Sequence, residues 1–307
     1  MKKLFYILSL SLLTCISCNE NSHIDNKENF SIDYRDRHGW GEDLPIYGDI
    51  VRVTQNYYGN NYQEQFGEYT PIGRPISQTI YEFNRMGHVE RVIEKDCNNE
   101  IYDETKYTYD SKGNCISKTR IIGGEEDIIE RYTLDNKGNC IECDIFRNGE
   151  FTGKETYKYD SNNCQIERII YHEDGKKEMV WSTKYNNFNK PYEHYVEHFH
   201  PYASPKILCN TWSYDSLGNE MQYCIYNREV TPSVWRNSEY DTQGRKISCT
   251  IYLSTDKNGN KVAGGTISTK TEYAYDDRGN IQSLWLGHYA YSNDTEYAEF
   301  KIEFRSN

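Results

Sequence analysis

Aromatic and polar residues alternate along this chain in short bursts, and every burst ends in the same way. Tyr107 and Tyr109 flank Thr108, and Tyr157 and Tyr159 flank Lys158. A period of two places alternate side chains on one face of a β-strand, so each aromatic pair shares a face. An Asp or Asn then follows, with two variable residues, a Gly and usually an Asn. Three copies are clean: Tyr107-Thr108-Tyr109-Asp110-Ser111-Lys112-Gly113-Asn114, Trp212-Ser213-Tyr214-Asp215-Ser216-Leu217-Gly218-Asn219 and Tyr273-Ala274-Tyr275-Asp276-Asp277-Arg278-Gly279-Asn280.

The Asp or Asn anchor recurs eight times, at Asn84, Asp110, Asp135, Asp160, Asn186, Asp215, Asp241 and Asp276. The spacing stays near 25 residues, apart from a longer last step, which marks stacked supersecondary units. That length is too short for strand, helix and loops, and suits two strands with two turns. In the motif turn, Asp bonds its own backbone two residues on. Gly then supplies the positive φ that closes a type I turn with a bulge. Asn189 takes the place of Gly in Tyr185-Asn186-Asn187-Phe188-Asn189-Lys190, because Asn tolerates the left-handed region. The second turn of each unit, as in Ile122-Gly123-Gly124-Glu125 and Arg147-Asn148-Gly149-Glu150, reads as looser.

The pattern predicts an all-β fold, an antiparallel meander of hairpin repeats with some 16 to 18 strands. A twisted sheet of that size curls, giving a coiled open sheet, a half-shell or a distorted barrel. Phe300-Lys301-Ile302-Glu303-Phe304-Arg305 alternates cleanly and is expected to cap the array. Residues 49–79, with strand-like Ile50-Val51-Arg52-Val53, are expected to form an atypical N-terminal capping unit before a repeat domain over 80–307.

These residues resemble the YD repeat of RHS-type proteins, Tyr-Asp followed two residues later by Gly-Asn, over roughly residues 80–307. Large RHS proteins wind such repeats into a hollow β-shell around a toxin domain. This chain has too few repeats for a closed container of that kind. It is more similar to small YD-repeat lipoproteins of Bacteroidota-like bacteria.

The start of the chain changes the picture from fold to address. Lys2 and Lys3 precede an apolar run over residues 4–13, too short to span a membrane comfortably as a helix. The run ends at Thr14-Cys15-Ile16-Ser17-Cys18, which resembles a lipoprotein cleavage site. Residues 1–17 are therefore expected to be a signal peptide and Cys18 the lipidated residue, with Cys15 as the alternative. An ordinary secretory signal is the competing reading. Residues 18–48 are polar and acidic and read as a flexible tether. The expected location is the cell envelope, anchored in the outer membrane on its periplasmic side or at the cell surface.

Loss of residues 1–17 takes away two lysines and no acid, moving the net charge from −12 to −14. An acidic chain without a basic cluster argues against nucleic acid. Eight cysteines follow Cys18, an even number that suggests disulfides in an exported protein. Equivalent cysteines such as Cys115 and Cys140 fall two strands apart, beyond disulfide reach. Cys209 and Cys224 flank one hairpin and are the candidate pair, unless a bulge shifts their register; free thiols are the alternative.

Three sets of residues invite a chemical reading. His194, His198 and His200 share one strand face and offer imidazoles for zinc or copper, although structural histidines are the plainer account. Trp181, Trp212, Trp235 and Trp285 can form stacking platforms for sugars or peptides, against the alternative that they brace the sheet as cross-strand pairs. The motif Asp residues are structural. Asp256-Lys257-Asn258-Gly259-Asn260 lacks the final carboxylate of a calcium loop, where Ile267 stands, and reads as a turn. No nucleophile elbow, P-loop, zinc-protease or cofactor motif is present. The sequence therefore points to a non-enzymatic envelope protein that binds a glycan or protein partner. A structural, adhesion or immunity-type protein is the alternative, and an enzyme centred on residues 184–211 the third choice.

Overall fold

A computed structural model describes residues 29–35, 41–65, 68–199, 203–227, 231–255, 261–288 and 295–305. Cys18, the signal region, His200 and the turn at 256–260 lie outside these residues. All regular structure among the described residues is β. Strands β1 (Asn29–Arg35) and β2 (Gly41–Tyr47) pair as a hairpin, so part of the stretch expected as a tether is strand. The barrel begins with β3 (Ile50–Gly59), and β4 (Tyr62–Gln65) with β5 (Glu68–Pro71) forms a small excursion. Then come β6 (Ser77–Phe83), β7 (Val89–Asp96), β8 (Ile101–Tyr109), β9 (Cys115–Ile122), β10 (Glu125–Leu134) and β11 (Cys140–Arg147). The wall continues through β12 (Glu150–Tyr159), β13 (Gln165–His172), β14 (Lys177–Tyr185), β15 (Pro191–His198), β16 (Ser204–Tyr214) and β17 (Glu220–Tyr226). It ends with β18 (Pro232–Tyr240), β19 (Lys246–Thr255), β20 (Lys261–Tyr275), β21 (Ile281–His288) and β22 (Thr295–Phe304).

Each strand from β6 onward pairs antiparallel with the next, and β22 then pairs with β3, closing an 18-stranded barrel. The outcome is the barrel among the expected architectures, and the chain closes despite its modest repeat number. Two expectations change with it. Residues 49–79 do not cap one end of an array, and the last strand does not cap the other: each supplies half of the seam. A circular wall of 18 strands measures on the order of 35 Å across, wide enough for an aqueous lumen.

The motif turns are as their chemistry requires. Asp110 Oδ1 accepts from the backbone N–H of Lys112 at 2.8 Å and of Asn114 at 2.9 Å, and Asn114 Nδ2 donates to Asp110 Oδ2 at 2.9 Å. The same arrangement recurs at Asp135, Asp215 and Asp276. Asn189 holds φ at 56° in place of Gly. Two of the second turns are tighter than expected, whereas those at 96–100 and 172–176 are longer. Ile122 pairs directly with Glu125, and Arg147 with Glu150, leaving two-residue loops with positive φ at both positions. Those are the hairpin turns that match strand twist.

After every motif turn the strand carries one extra residue: Glu90, Ile116, Ile141, Ile166, Tyr192, Met221, Ile247 and Gln282. A bulge interrupts the ladder and leaves backbone groups there to be satisfied otherwise. In six units the Tyr just before the anchor does this for the preceding unit. Tyr109 donates to the carbonyl of Val89, Tyr159 to Cys140, Tyr185 to Gln165, Tyr214 to Pro191, Tyr240 to Glu220 and Tyr275 to Lys246, at 2.5 to 3.0 Å. Each carbonyl belongs to the residue before the bulge. The Tyr of the motif is thus a rivet between consecutive units.

Strand register fixes which residues share a face. The motif tyrosines share one with Val53, Val92, Cys143, Met179, Val196, Cys249, Leu284 and Phe300. These are the more buried positions, as the concave side of a closed wall demands. The opposite face carries ion pairs: Arg91–Glu104 and Lys154–Glu142 away from the strand ends, and Arg52–Glu82, Lys158–Glu167 and Lys184–Glu193 near the motif turns.

Candidate functional site

The inner wall between β12 and β18 brings together two of the four expected tryptophans and one of the expected histidines. Register sets Arg168 opposite Trp181, Thr183 opposite His194, His194 opposite Asn210, and Trp212 opposite Tyr223, which faces Arg236. The rings form a continuous strip. Trp181 stacks on His194 with centroids 4.9 Å apart, and His194 meets Trp212 edge-on at 6.3 Å. Trp212 then lies 5.1 Å from Tyr223. The Arg236 guanidinium covers the Tyr223 ring at 5.2 Å.

Polar groups frame the strip at both ends. On one side Tyr157 donates to Glu155, which also accepts from Arg168 Nε at 2.7 Å. On the other, Arg236 donates to Glu220 at 2.6 Å, and Asn210 Nδ2 donates to the Tyr223 hydroxyl at 2.8 Å. Burial pushes the Tyr223 phenol up to about 12, so it stays protonated. Burial, helped by the nearby Arg168 charge, holds His194 down to about 4. The imidazole is therefore neutral at pH 7. Its Nδ1 sits 2.7 Å from Thr183 Oγ1. That pair resembles a hydroxyl–base dyad, but a base this weak gives little driving force for proton abstraction near neutral pH.

The other expected residues fall elsewhere. His198 faces the same side as His194 but four residues along the strand, about 13 Å away, opposite Met179. One ion does not reach both, and no group of three or more His, Cys, Asp or Glu suited to a metal occurs among the described residues. Trp235 and Trp285 lie on the outer face. Trp235 stacks on Tyr252 at 5.8 Å. Trp285 Nε1 donates to the Tyr62 hydroxyl at 2.8 Å, fastening the β4–β5 excursion to the wall. Cys209 and Cys224 are free thiols. Thr211 is the residue opposite Cys224, two positions from Cys209. The register is shifted by two residues from the one that would have set the cysteines face to face. A diagonal of this kind spans roughly 7–8 Å, too far for a disulfide.

Glu155, Arg168, Tyr223 and Arg236 escaped the sequence reading. The signal that finds them is parity. Trp181 lies five residues before its anchor Asn186, Trp212 three before Asp215, and Glu155 five before Asp160. All are odd, like the inward Tyr one residue before each anchor. Trp235 lies six before Asp241 and faces out.

No family model matches this sequence, and no curated protein does. Among solved structures, the chain is similar to a porin-like protein from Bacteroides uniformis ATCC 8492. The identity is 14% and the TM-score 0.44, over 83% of this chain and 96% of that one. At that distance the likeness concerns the fold alone.

Proposed function

We propose that this protein is a non-enzymatic, lipid-anchored barrel of the cell envelope, built from YD-type repeats, that binds a glycan on its inner wall. The observation that carries the reading is the strip Trp181–His194–Trp212–Tyr223 between the Glu155–Arg168 and Glu220–Arg236 pairs. Aromatic faces stack on the apolar faces of sugar rings, while guanidinium, carboxylate and amide groups meet the hydroxyls. The signal region ending at Cys18 supports export and anchoring. Barrels that cross bilayers present an outward apolar band. Here both faces carry ion pairs away from the strand ends, Arg91–Glu104 and Lys154–Glu142 outside and Arg168–Glu155 inside, which favours attachment through a lipid over insertion of the wall.

The test is a glycan array probed with the mature chain, with Trp212→Ala and Trp235→Ala as variants. Loss of one stacking ring on the inner strip should weaken binding about tenfold, and loss of the outer Trp235 should leave it unchanged. No glycan binding better than millimolar, or binding that depends on Trp235 alone, overturns the reading.

A further inference from the structure

The two rims of the barrel are built differently. One holds the eight motif turns, and three of these carry a large apolar residue two positions past the anchor: Met86, Phe188 and Leu217. Leu217 is 83% exposed and Phe188 58%, the highest values among the large hydrophobic side chains of the described residues. Behind the tips, within about two strand residues or ~7 Å, six of the eight bulge residues are exposed and apolar: Ile116, Ile141, Ile166, Tyr192, Met221 and Ile247. They recur on every second strand, about 10 Å apart. Arg85, Lys112, Lys137, Lys190 and Arg278 project among the tips, all exposed, with Asp277 and Glu90 the exposed acids beside them. The six Asp anchors at this rim accept hydrogen bonds from backbone amides of their own turns. The opposite rim also has exposed apolar side chains, including Ile101 and Phe151, and its turns project Glu100, Glu125, Glu126, Glu150 and Glu173 beside Arg147, Lys176 and Lys177.

The path of the chain separates the rims. Arg305 Nε donates to Asp49 Oδ1 at 3.0 Å, and its Nη2 donates to the carbonyl of Asn84, the first motif anchor, at 3.0 Å. Asp49 immediately precedes β3. The polypeptide leading from Cys18 therefore joins the barrel at the motif-turn rim.

We infer that this rim docks on the lipid bilayer, with Met86, Phe188 and Leu217 inserted at the headgroup level. Interfacial segments bury apolar side chains about 5–10 Å deep with Lys and Arg around them, which matches tips, belt and flanking cations. The lumen then opens toward the membrane at one end, and the opposite rim faces away. The inference rests on the lipid anchor of the proposed function for the choice of rim.

The experiment uses the full chain, processed in a lipoprotein-competent host and reconstituted into phosphatidylethanolamine–phosphatidylglycerol vesicles with lipids brominated near the headgroup. Leu217→Trp and Ile101→Trp each add one fluorophore, one per rim, and quenching is read as the excess over the parent protein. Labelled palmitate, with Cys18→Ser as control, reports the anchor separately. Quenching of Trp added at 217, at least about twofold above that at 101, is expected for interfacial insertion. Equal quenching at both rims, or none, in protein that carries the lipid overturns the docking and leaves the anchor standing. Selective quenching at 217 without a palmitate label supports the docking and removes the anchor. A vesicle-free dimer whose added Trp at 217 is already shielded overturns the docking in favour of a second copy of the chain.

Discussion

The seam where the barrel closes and the wall across from it are held by different forces. At the seam, Ile50, Val53, Phe83, Ile281, Leu284, Leu286, Ala298 and Phe300 form one buried cluster with Ile46 from β2. The wall from β8 to β18 is instead a ladder of paired charges and rings: Asp103–Arg120, Lys118–Glu130, Glu155–Arg168 and Glu220–Arg236. Connectivity explains the contrast. Within the wall each strand meets a partner delivered by a turn of a few residues. At the seam Ile50 meets Phe304 from the other end of the chain. Joining ends that far apart costs roughly 5 kcal/mol in loop entropy, and no turn residue offsets it. Apolar burial is the non-directional force able to do so. Where turns set the geometry, the wall is free to carry polar groups, and the candidate site lies there.

The strongest test of this division is truncation. Leu284 is 1% exposed at the seam, and Leu284→Ala should lower unfolding stability by about 3 kcal/mol. Ile128 is half-buried on the polar wall, and Ile128→Ala should cost about 1 kcal/mol. Urea titrations of the two variants give the comparison directly. Equal losses would show that the seam has no special role in closure.

A second test asks whether the wall is held by its turns. Gly138 has φ of 89°, and a Cβ there would clash with Asn114 Oδ1 in the preceding turn. Gly149 has φ of 82° with open space around it. Gly138→Ala combines backbone strain with a clash and should cost about 2 kcal/mol; Gly149→Ala carries strain alone, about 1 kcal/mol. Thermal melts that rank them the other way would mean that successive turns do not brace each other.

The polar wall should also respond to pH through His194. Its folded-state pKa, about 4, lies below the unfolded value near 6.5. The unfolded chain then binds the proton first as pH falls. The stability that neutral His194 contributes is complete above about pH 6.5 and is lost on acidification toward pH 4. For a half-buried ring the change is on the order of 1–2 kcal/mol. His194→Gln should flatten the stability profile between pH 6.5 and 4, and an unchanged slope in the variant would place the acid sensitivity elsewhere.

Local chemistry was legible in the sequence and long-range pairing was not. The Asx turns, the left-handed Asn189 and the shared face of each aromatic pair all follow from residues within one unit. Closure does not, because Ile50-Val51-Arg52-Val53 reads as an ordinary strand and nothing in it names β22 as its partner. The split of the tryptophans into inner Trp181 and Trp212 and outer Trp235 and Trp285 was present in the parity from each anchor. It needed the bulge position to be counted. The weak basicity of His194 was not legible at all, since burial against Trp181 and proximity to Arg168 arise only when three strands align.

The finest distinction concerns why the motif carries Tyr before Asp and not simply any aromatic. If the residue served only to fill the inner wall, Phe would do as well. The six hydroxyl-to-carbonyl bonds say otherwise: each reaches the backbone oxygen next to a bulge in the unit before. Tyr159→Phe removes the donor to Cys140 with little change in volume and should cost about 1 kcal/mol, the net worth of one such bond. Leu134 occupies the same position in its unit without a hydroxyl, so Leu134→Tyr should recover up to about 1 kcal/mol by donating to the carbonyl of Cys115. Denaturant midpoints moving in opposite directions for the two variants would establish the rivet as an energetic element of the wall. Movement for neither would reduce the motif Tyr to packing and leave the turns as the sole link between units.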